Sequence, residues 1–452
     1  MAETSMAALA GLFRAHLQDL DWASLRAYSQ NLHPADIAEA MHLLEPEEKV
    51  ELVRALDTSV RAEVVSLAND SSLESLLDGL ENNELAEIVE ELPADDAADL
   101  LGEMDRTDAD AVLRLVRDVS AQEEVQELLA YAEDSAGGIM DTDFVAVRES
   151  AGRDEIVTAL RARDGEDDDL HELYVVDDHN RLVGKLPLLR VLLARDNAAM
   201  RGSIQRDLVR VDAEMDQEQV AGLFAKYDLV EAPVVGPQGR LLGRITVDDV
   251  IDVIEDEASE DLAMMAGTRE EEIGSTSVFR ISRSRFRWLL LGMVGGMVAA
   301  FIMGFFEADF AQVPAVYFFV PVITAMGGNI GIQSSTVVVR ALATREVDVR
   351  QIGSQVFREI RVAILNATLL IPFLFGITWA WRHNLPLAIL VGLSMLVVFL
   401  YSALVGALVP MLLARRGIDP AIATGPFITT SNDIIGVCIY LGFVSLAVRW
   451  VA

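Results

Sequence analysis

The sequence predicts a multidomain chain: an all-α superhelical N-terminal domain, an α/β tandem pair of small modules, and an all-α transmembrane domain of five helices. Three observations carry that expectation. Charge is sorted along the chain: residues 276–452 hold thirteen Arg, no Lys and seven acids, a net of +6, whereas the first 275 residues hold 23 basic and 64 acidic groups, a net of −41. The hydrophobic pattern changes twice, from helical spacing to paired short strands after Gly138, then to charge-free runs long enough to cross a bilayer from Trp288 onward. Each of the first two regions also repeats itself internally. The predicted boundaries are 1–132 for the helical domain, 133–256 for the module pair, 257–284 for an acidic connecting helix and linker, and 285–452 for the membrane domain.

From Leu32 to Ala132 apolar residues recur at spacings of three and four with charged residues between them. ADIAEAMHLLEPEEKVELVRAL (Ala35 to Leu56) and ELAEIVEELPADDAADLLGEM (Glu84 to Met104) read as two copies of one helical hairpin, offset by a single-residue indel. Stacked copies make a short superhelix. The N-terminus lacks the basic start and long apolar core of a cleaved signal peptide, so this half is expected in the cytoplasm. A net of −41 excludes a nucleic-acid partner, which needs clustered Lys and Arg, and favours cations. The single cysteine, Cys438, lies in an apolar run and gives neither a disulfide framework nor a thiolate metal site.

HELYVVDDHNRLVGKLPLLRVLLA (His171 to Ala194) and VEAPVVGPQGRLLGRITVDDVIDVI (Val230 to Ile254) share one layout: a short apolar strand, a polar turn, a second strand through Leu-x-Gly, then a helix. The pair resembles tandem cystathionine-β-synthase-type (CBS) modules over about Ile139 to Ile254. That resemblance implies ATP or another adenine nucleotide as ligand, contacted through the ribose by a Thr or Ser and an Asp three residues later. Thr246 and Asp249 fit that spacing; the first module has Pro187 and Arg190 there, so one nucleotide site at most is expected. The alternative is that Thr246 only caps the helix beginning at Val247.

Five apolar runs follow: Trp288 to Phe306, Phe310 to Val339, Val362 to Trp381, Asn384 to Ala414, and Pro420 to Val448. Arginines cluster before the first run, between the second and third, and between the fourth and fifth, whereas the opposite side has only Arg382 and Arg449. The positive-inside rule then puts the N-terminal half in the cytoplasm and the C-terminus outside. Span two holds Gly327, Gly328 and Gly331 among Asn329, Gln333 and hydroxyls, which suits a helix lining a watery path better than one packed in lipid; a glycine-rich packing interface ranks second. Span five holds Thr429-Thr430-Ser431-Asn432-Asp433. Asp433 is the only acid deep within any run, and an intramembrane carboxylate lines a pathway by default. Carboxylate, amide and hydroxyl oxygens without His suit Mg²⁺ or Ca²⁺ rather than Zn²⁺ or Cu.

The helical N-domain, the CBS pair and five spans carrying GGNIGIQSSTVVVRALATREVDV (Gly327 to Val349) and IDPAIATGPFITTSNDIIG (Ile418 to Gly436) closely resemble the MgtE family of magnesium channels and transporters. The resemblance implies a multi-pass homodimer in the cell (inner) membrane, with a pore at the two-fold axis lined by spans two and five. It also implies that Asp433 holds hydrated Mg²⁺, with Ala325, Gly328, Asn329 and Asn432 at the same site. Ile332 stands where many relatives carry Asn. The resemblance further implies a plug-type connecting helix and regulatory Mg²⁺ held by Asp95, Asp99, Asp216, Glu218, Asp249, Glu257, Glu260 and Asp261, whose occupancy closes the pore. From the residues alone these acids read as a solvated face, although Asp95 and Asp99 do share one helical face. Glu307 and Asp309, at the external mouth, either concentrate cations or form a solvated loop. The expected function is Mg²⁺-selective, channel-like uptake, and not an enzyme. The alternatives are a transporter of Co²⁺, Ni²⁺ or Ca²⁺, or a membrane-anchored CBS sensor without a pore.

Overall fold

A computed structural model describes residues 6–161, 170–268, 272, 277–307, 311, 313–344 and 346–451. The chain divides into two compact units, Met1–Glu257 and Ala258–Ala452. The first begins with ten short helices: α1 (Met6–Gln18), α2 (Trp22–Ser29), α3 (Pro34–His42), α4 (Pro46–Ala55), α5 (Thr58–Ser66), α6 (Asp70–Gly79), α7 (Asn82–Val89), α8 (Ala94–Gly102), α9 (Arg106–Leu113) and α10 (Val119–Leu128). Helices this short are marginal alone and are held by stacking. The two predicted hairpin segments fold as α3 and α4 and as α7 and α8, but each helix packs chiefly on the next but one, α3 on α5, α4 on α6, α7 on α9 and α8 on α10, so the stack replaces the closed hairpin. Each segment buries the residues its spacing selects, Ile37, Met41, Leu52 and Val53 in one and Leu85, Ile88, Val89 and Leu101 in the other. Their starts are fixed locally: Pro46 opens α4, and capping boxes Glu45/Glu48 and Glu81/Glu84 satisfy the first N–H groups of α4 and α7.

The repeat predicted for the next segment is present among the described residues. β1 (Ala146–Arg148), α11 (Arg153–Arg161), β2 (Glu172–Val176), β3 (Leu182–Pro187), α12 (Leu188–Leu193) and α13 (Asn197–Arg201) form one module. β4 (Val211–Asp212), α14 (Gln217–Tyr227), β5 (Glu231–Val235), β6 (Leu241–Thr246) and α15 (Val247–Ala266) form the second. Each sheet has three strands, parallel then antiparallel, and the registers coincide: Glu172 faces Pro187, and Glu231 faces Thr246. The Leu-x-Gly glycines have a reason. A Cβ on Gly184 would lie 2.5 Å from the Gln205 carbonyl, and one on Gly243 would lie 2.7 Å from that of Asp141, because incoming backbone crosses each strand there.

Among the described residues of the second unit five helices are long and apolar enough to span a membrane: α16 (Val278–Phe305), α17 (Val320–Ala343), α18 (Ile352–Arg382), α19 (Leu385–Ala414) and α20 (Gly425–Val451). α17, α19 and α20 form the packed centre, and α16 and α18 are mostly exposed. Small residues set the spacing. A Cβ on Gly406 would lie 2.5 Å from the Gly331 carbonyl, and one on Gly295 would lie 2.0 Å from Thr430. Helix ends depart from the charge-free runs. α16 begins ten residues before Trp288 and takes in four arginines, and α18 begins ten before Val362 and takes in Arg358, Glu359 and Arg361. The fifth run divides into a short 3-10 turn, Pro420–Ala423, and α20. Peptide groups bond one another wherever the helix runs, so helices outlast the apolar stretch.

Candidate functional site

In the membrane unit the polar residues of α17 separate by face. Gly327, Gly328, Gly331, Ser334 and Ser335 are buried, whereas Ala325, Asn329 and Gln333, spaced by four, lie on the exposed side. On α20 Asp433 is partly exposed and Asn432 is 1% exposed. The Asn432 Nδ2 donates to the Gly327 carbonyl at 3.3 Å. A Cβ on Gly328 would meet only Thr429, at 3.8 Å, so α17 and α20 touch along the Gly327–Gly331 stretch. Ile332 is partly exposed beside this stretch. Of the predicted set, Ala325, Asn329 and Asp433 are therefore accessible, and Gly328 and Asn432 are packed inside the chain. Glu307 is exposed at the end of α16; Asp309, like Phe310, lies outside the described residues.

In the first compact unit Asp95 and Asp99 on α8 come together with Asp249 on α15. Burial, then the carboxylates of Asp141, Asp96 and Asp249, push Asp95 up to about 8. Burial and the neighbouring Asp96 and Asp249 push Asp99 up to about 7. Asp96 rises to about 6 through burial and then Asp249 and Asp141. Asp95 Oδ1 is buried without a hydrogen-bond partner among the described residues. Asp249 is also raised by burial, against the opposing hydrogen bonds it accepts from the Thr246 N–H at 3.1 Å and the Thr246 hydroxyl at 2.5 Å. Both bonds run from Thr246 to one oxygen, Asp249 Oδ2, so the Asp249 carboxylate reaches back to the helix start and the Thr246 hydroxyl donates to it.

The other predicted acids are placed differently. Asp216 caps α14 through the Gln219 N–H, Glu218 is exposed in the same first turn, and Glu257 accepts from the Gln217 Nε2 at 2.8 Å. Glu260 and Asp261 belong to the second compact unit. Among the described residues no three His, Cys, Asp or Glu stand ready to hold a metal ion. Like charges at close range keep apart until a cation intervenes.

Two residues of the cluster were not selected by sequence reasoning. Asp96 follows Asp95 directly, a signal that spacing by four passes over. Asp141 has no local signal: it is brought in by an antiparallel bridge to Arg244, whose Nε donates to Asp141 Oδ2 at 3.0 Å. The same guanidinium lies 3.6 Å from Glu231, which accepts from the Tyr174 hydroxyl at 3.0 Å. This buried chain ties both modules to the cluster's edge.

Comparison with known proteins covers all three parts. Residues 32–134 match the MgtE intracellular N domain, residues 136–195 and 202–256 match CBS domains, and residues 320–443 match a family described as MgtE, divalent cation transporter. A magnesium transporter MgtE from Thermus thermophilus is 37% identical over 336 residues, 74% of each chain. One from Enterococcus faecalis is 33% identical over 72% of each. Two crystal structures align with part of this chain: the cytosolic domain of the Mg²⁺ channel MgtE in complex with ATP, 35% identical with a TM-score of 0.50 over 54% of this chain and 99% of the other, and the soluble part of a magnesium transporter, 27% identical with a TM-score of 0.50 over 56% and 100%.

Proposed function

The chain belongs to the MgtE family of magnesium transporters, and from that premise we propose that it passes Mg²⁺ through a pore shared by two copies and closes when cytoplasmic Mg²⁺ accumulates. The observation that carries this reading is the open polar face of the membrane unit. Asn329 and Gln333 are exposed on α17, and Asp433 is partly exposed on α20. Facing hydrocarbon, each unsatisfied polar group costs several kcal/mol. A second copy across a two-fold axis covers the face with its own equivalent and brings two Asp433 carboxylates to one site. Mg²⁺ gives up its waters reluctantly, so Asp433 acts through them, with Asn329, Gly328 and Ala325 alongside. The protein sits in the cell membrane, with residues before α16 in the cytoplasm and the C-terminus outside.

Closure is assigned to the acids. Asp249 is close enough to raise the pKa of both Asp95 and Asp99, and Mg²⁺ bound there, and at Asp216, Glu218, Glu257, Glu260 and Asp261, relieves that repulsion and favours the compact, closed arrangement. The paired modules take an adenine nucleotide, as does the related cytosolic domain crystallised with ATP. The Oδ1 of Asp249 takes no part in the bonds to Thr246, which leaves it to accept from a ribose hydroxyl.

The deciding experiment is Mg²⁺ influx into liposomes containing the full chain. Asp433→Ala and Asp433→Asn should each lower flux by about tenfold or more, since both remove the charge and the second keeps the shape. Near-normal flux in either overturns the pore assignment.

A further inference from the structure

We propose that Asn432 is a positioning residue: its amide fastens α20 to α17 in a notch left by Gly331, and that fastening sets the direction in which Asp433 points. The inference rests on the reading of Asp433 as the residue that holds the ion. Consecutive residues on an α-helix project about 100° apart, so pinning one side chain fixes the azimuth of the next. Asn432 is 1% exposed, whereas Asp433 is partly exposed. The Asn432 Nδ2 donates to the Gly327 carbonyl at 3.3 Å, a buried bond between two helices that lie 105 residues apart in sequence.

The fit admits no side chain at Gly331. A Cβ there would stand 2.1 Å from Asn432 Nδ2 and 2.6 Å from Ile428 Cγ2. α17 cannot retreat, because Gly406 of α19 already approaches the Gly331 carbonyl so closely that its own Cβ would lie 2.5 Å from it. The Asn432 Oδ1 is buried without a partner among the described residues. An amide kept in place with half its hydrogen bonding unmet is kept for the other half, the donation to Gly327. The open face of α17 is carried by Asn329 and Gln333, so an inward Asn432 is a different kind of residue from them.

Flux and steady-state Mg²⁺ dependence of the full chain in liposomes test this, with thermal melting of the same preparations. Asn432→Ala should raise the half-saturating Mg²⁺ concentration by about threefold, the equivalent of about 0.6 kcal/mol for an interhelical hydrogen bond, and by more than it lowers maximal flux. Gly331→Ala should cut flux strongly by wedging the helices apart. The double variant Gly331→Ala with Asn432→Ala should recover part of that loss, because the added methyl then occupies the space the amide vacates. If Asn432→Ala abolishes flux as fully as Asp433→Ala and gives Gly331→Ala no relief, Asn432 faces the ion and the proposal falls. It falls equally if melting temperature and flux drop together with half-saturation unchanged. Normal flux in Asp433→Ala would instead remove the underlying reading of the ion site, an outcome separate from these.

Discussion

Asp95, Asp96 and Asp99 occupy one turn and a half of α8, and all three hold protons more tightly than ordinary aspartates. The sign of the resulting pH dependence follows directly. Their folded pKa values, about 8, 6 and 7, lie above the unfolded value near 3.8, so the folded state binds more protons across that interval and stability falls as pH rises through it. Below about pH 4 the penalty is absent, and above about pH 8 it is complete. Hydrogen exchange of residues 94–102 in the full chain should therefore quicken from pH 5 to pH 8 without divalent cations, after correction for the intrinsic rate. Millimolar Mg²⁺ should restore protection at pH 8 and do little at pH 5, and Asp95→Asn should flatten the dependence. A flat profile in the unsubstituted chain would count against close packing of these carboxylates. The sequence made Asp95 and Asp99 visible through their spacing of four. Asp141 was invisible, because its place is set by a backbone bridge to Arg244, 103 residues away.

At the scale of elements, α15 ends where α20 begins. Gly267, at φ +73°, closes α15 in a left-handed turn in which its N–H bonds Met264 and the Thr268 N–H bonds Ala263. A Cβ on Gly425, at φ +51°, would lie 2.3 Å from the Met265 carbonyl, and one on Gly267 would lie 2.6 Å from Pro426. Within the second unit, the end of α15 at Met265 and Gly267 is thus seated on the first turn of α20. Gly425→Ala combines an unfavourable φ with a backbone clash and should cost about 1–3 kcal/mol, read as a lower melting temperature of the detergent-solubilised protein. Gly292→Ala, with nothing within 4 Å of the added methyl, is the matched control and should be neutral. Equal melting temperatures for the two variants would exclude the seat. Span existence was legible from apolar run length, but span ends were not: α16 and α18 extend through arginine-bearing turns, and Glu359 of α18 is buried at 6% exposure although its position reads as loop. Backbone hydrogen bonding continues where hydropathy stops.

The order of the parts along the molecule was legible because composition itself is sorted, with −41 on the first 275 residues and +6 on residues 276–452. Which acids act together was not, because a carboxylate on a working face and one on a solvated face have the same sequence signature. On the gating reading this charge is the sensor. A chain holding that much like charge resists compaction until cations neutralise it, so the closed arrangement is the cation-bound one, and a pore that admits Mg²⁺ is shut by the Mg²⁺ it admits. The acids that would report this lie along α15, whose 20 residues include Asp249, Glu257, Glu260 and Asp261. In the full chain in lipid nanodiscs, Mg²⁺ should protect residues 252–275 from protease, with half-protection at roughly 10⁻⁴ to 10⁻² M, the range of weak, carboxylate-rich, largely hydrated sites. K⁺ at equal ionic strength should not, because screening alone acts on exposed charges without bridging them. Substituting Asp249→Asn, Glu257→Gln, Glu260→Gln and Asp261→Asn together should weaken the protection and keep flux high when internal Mg²⁺ is abundant. If cleavage is indifferent to Mg²⁺ and the quadruple variant still shuts normally, the acids of α15 do no more than keep a surface solvated, and closure must be driven from elsewhere in the chain.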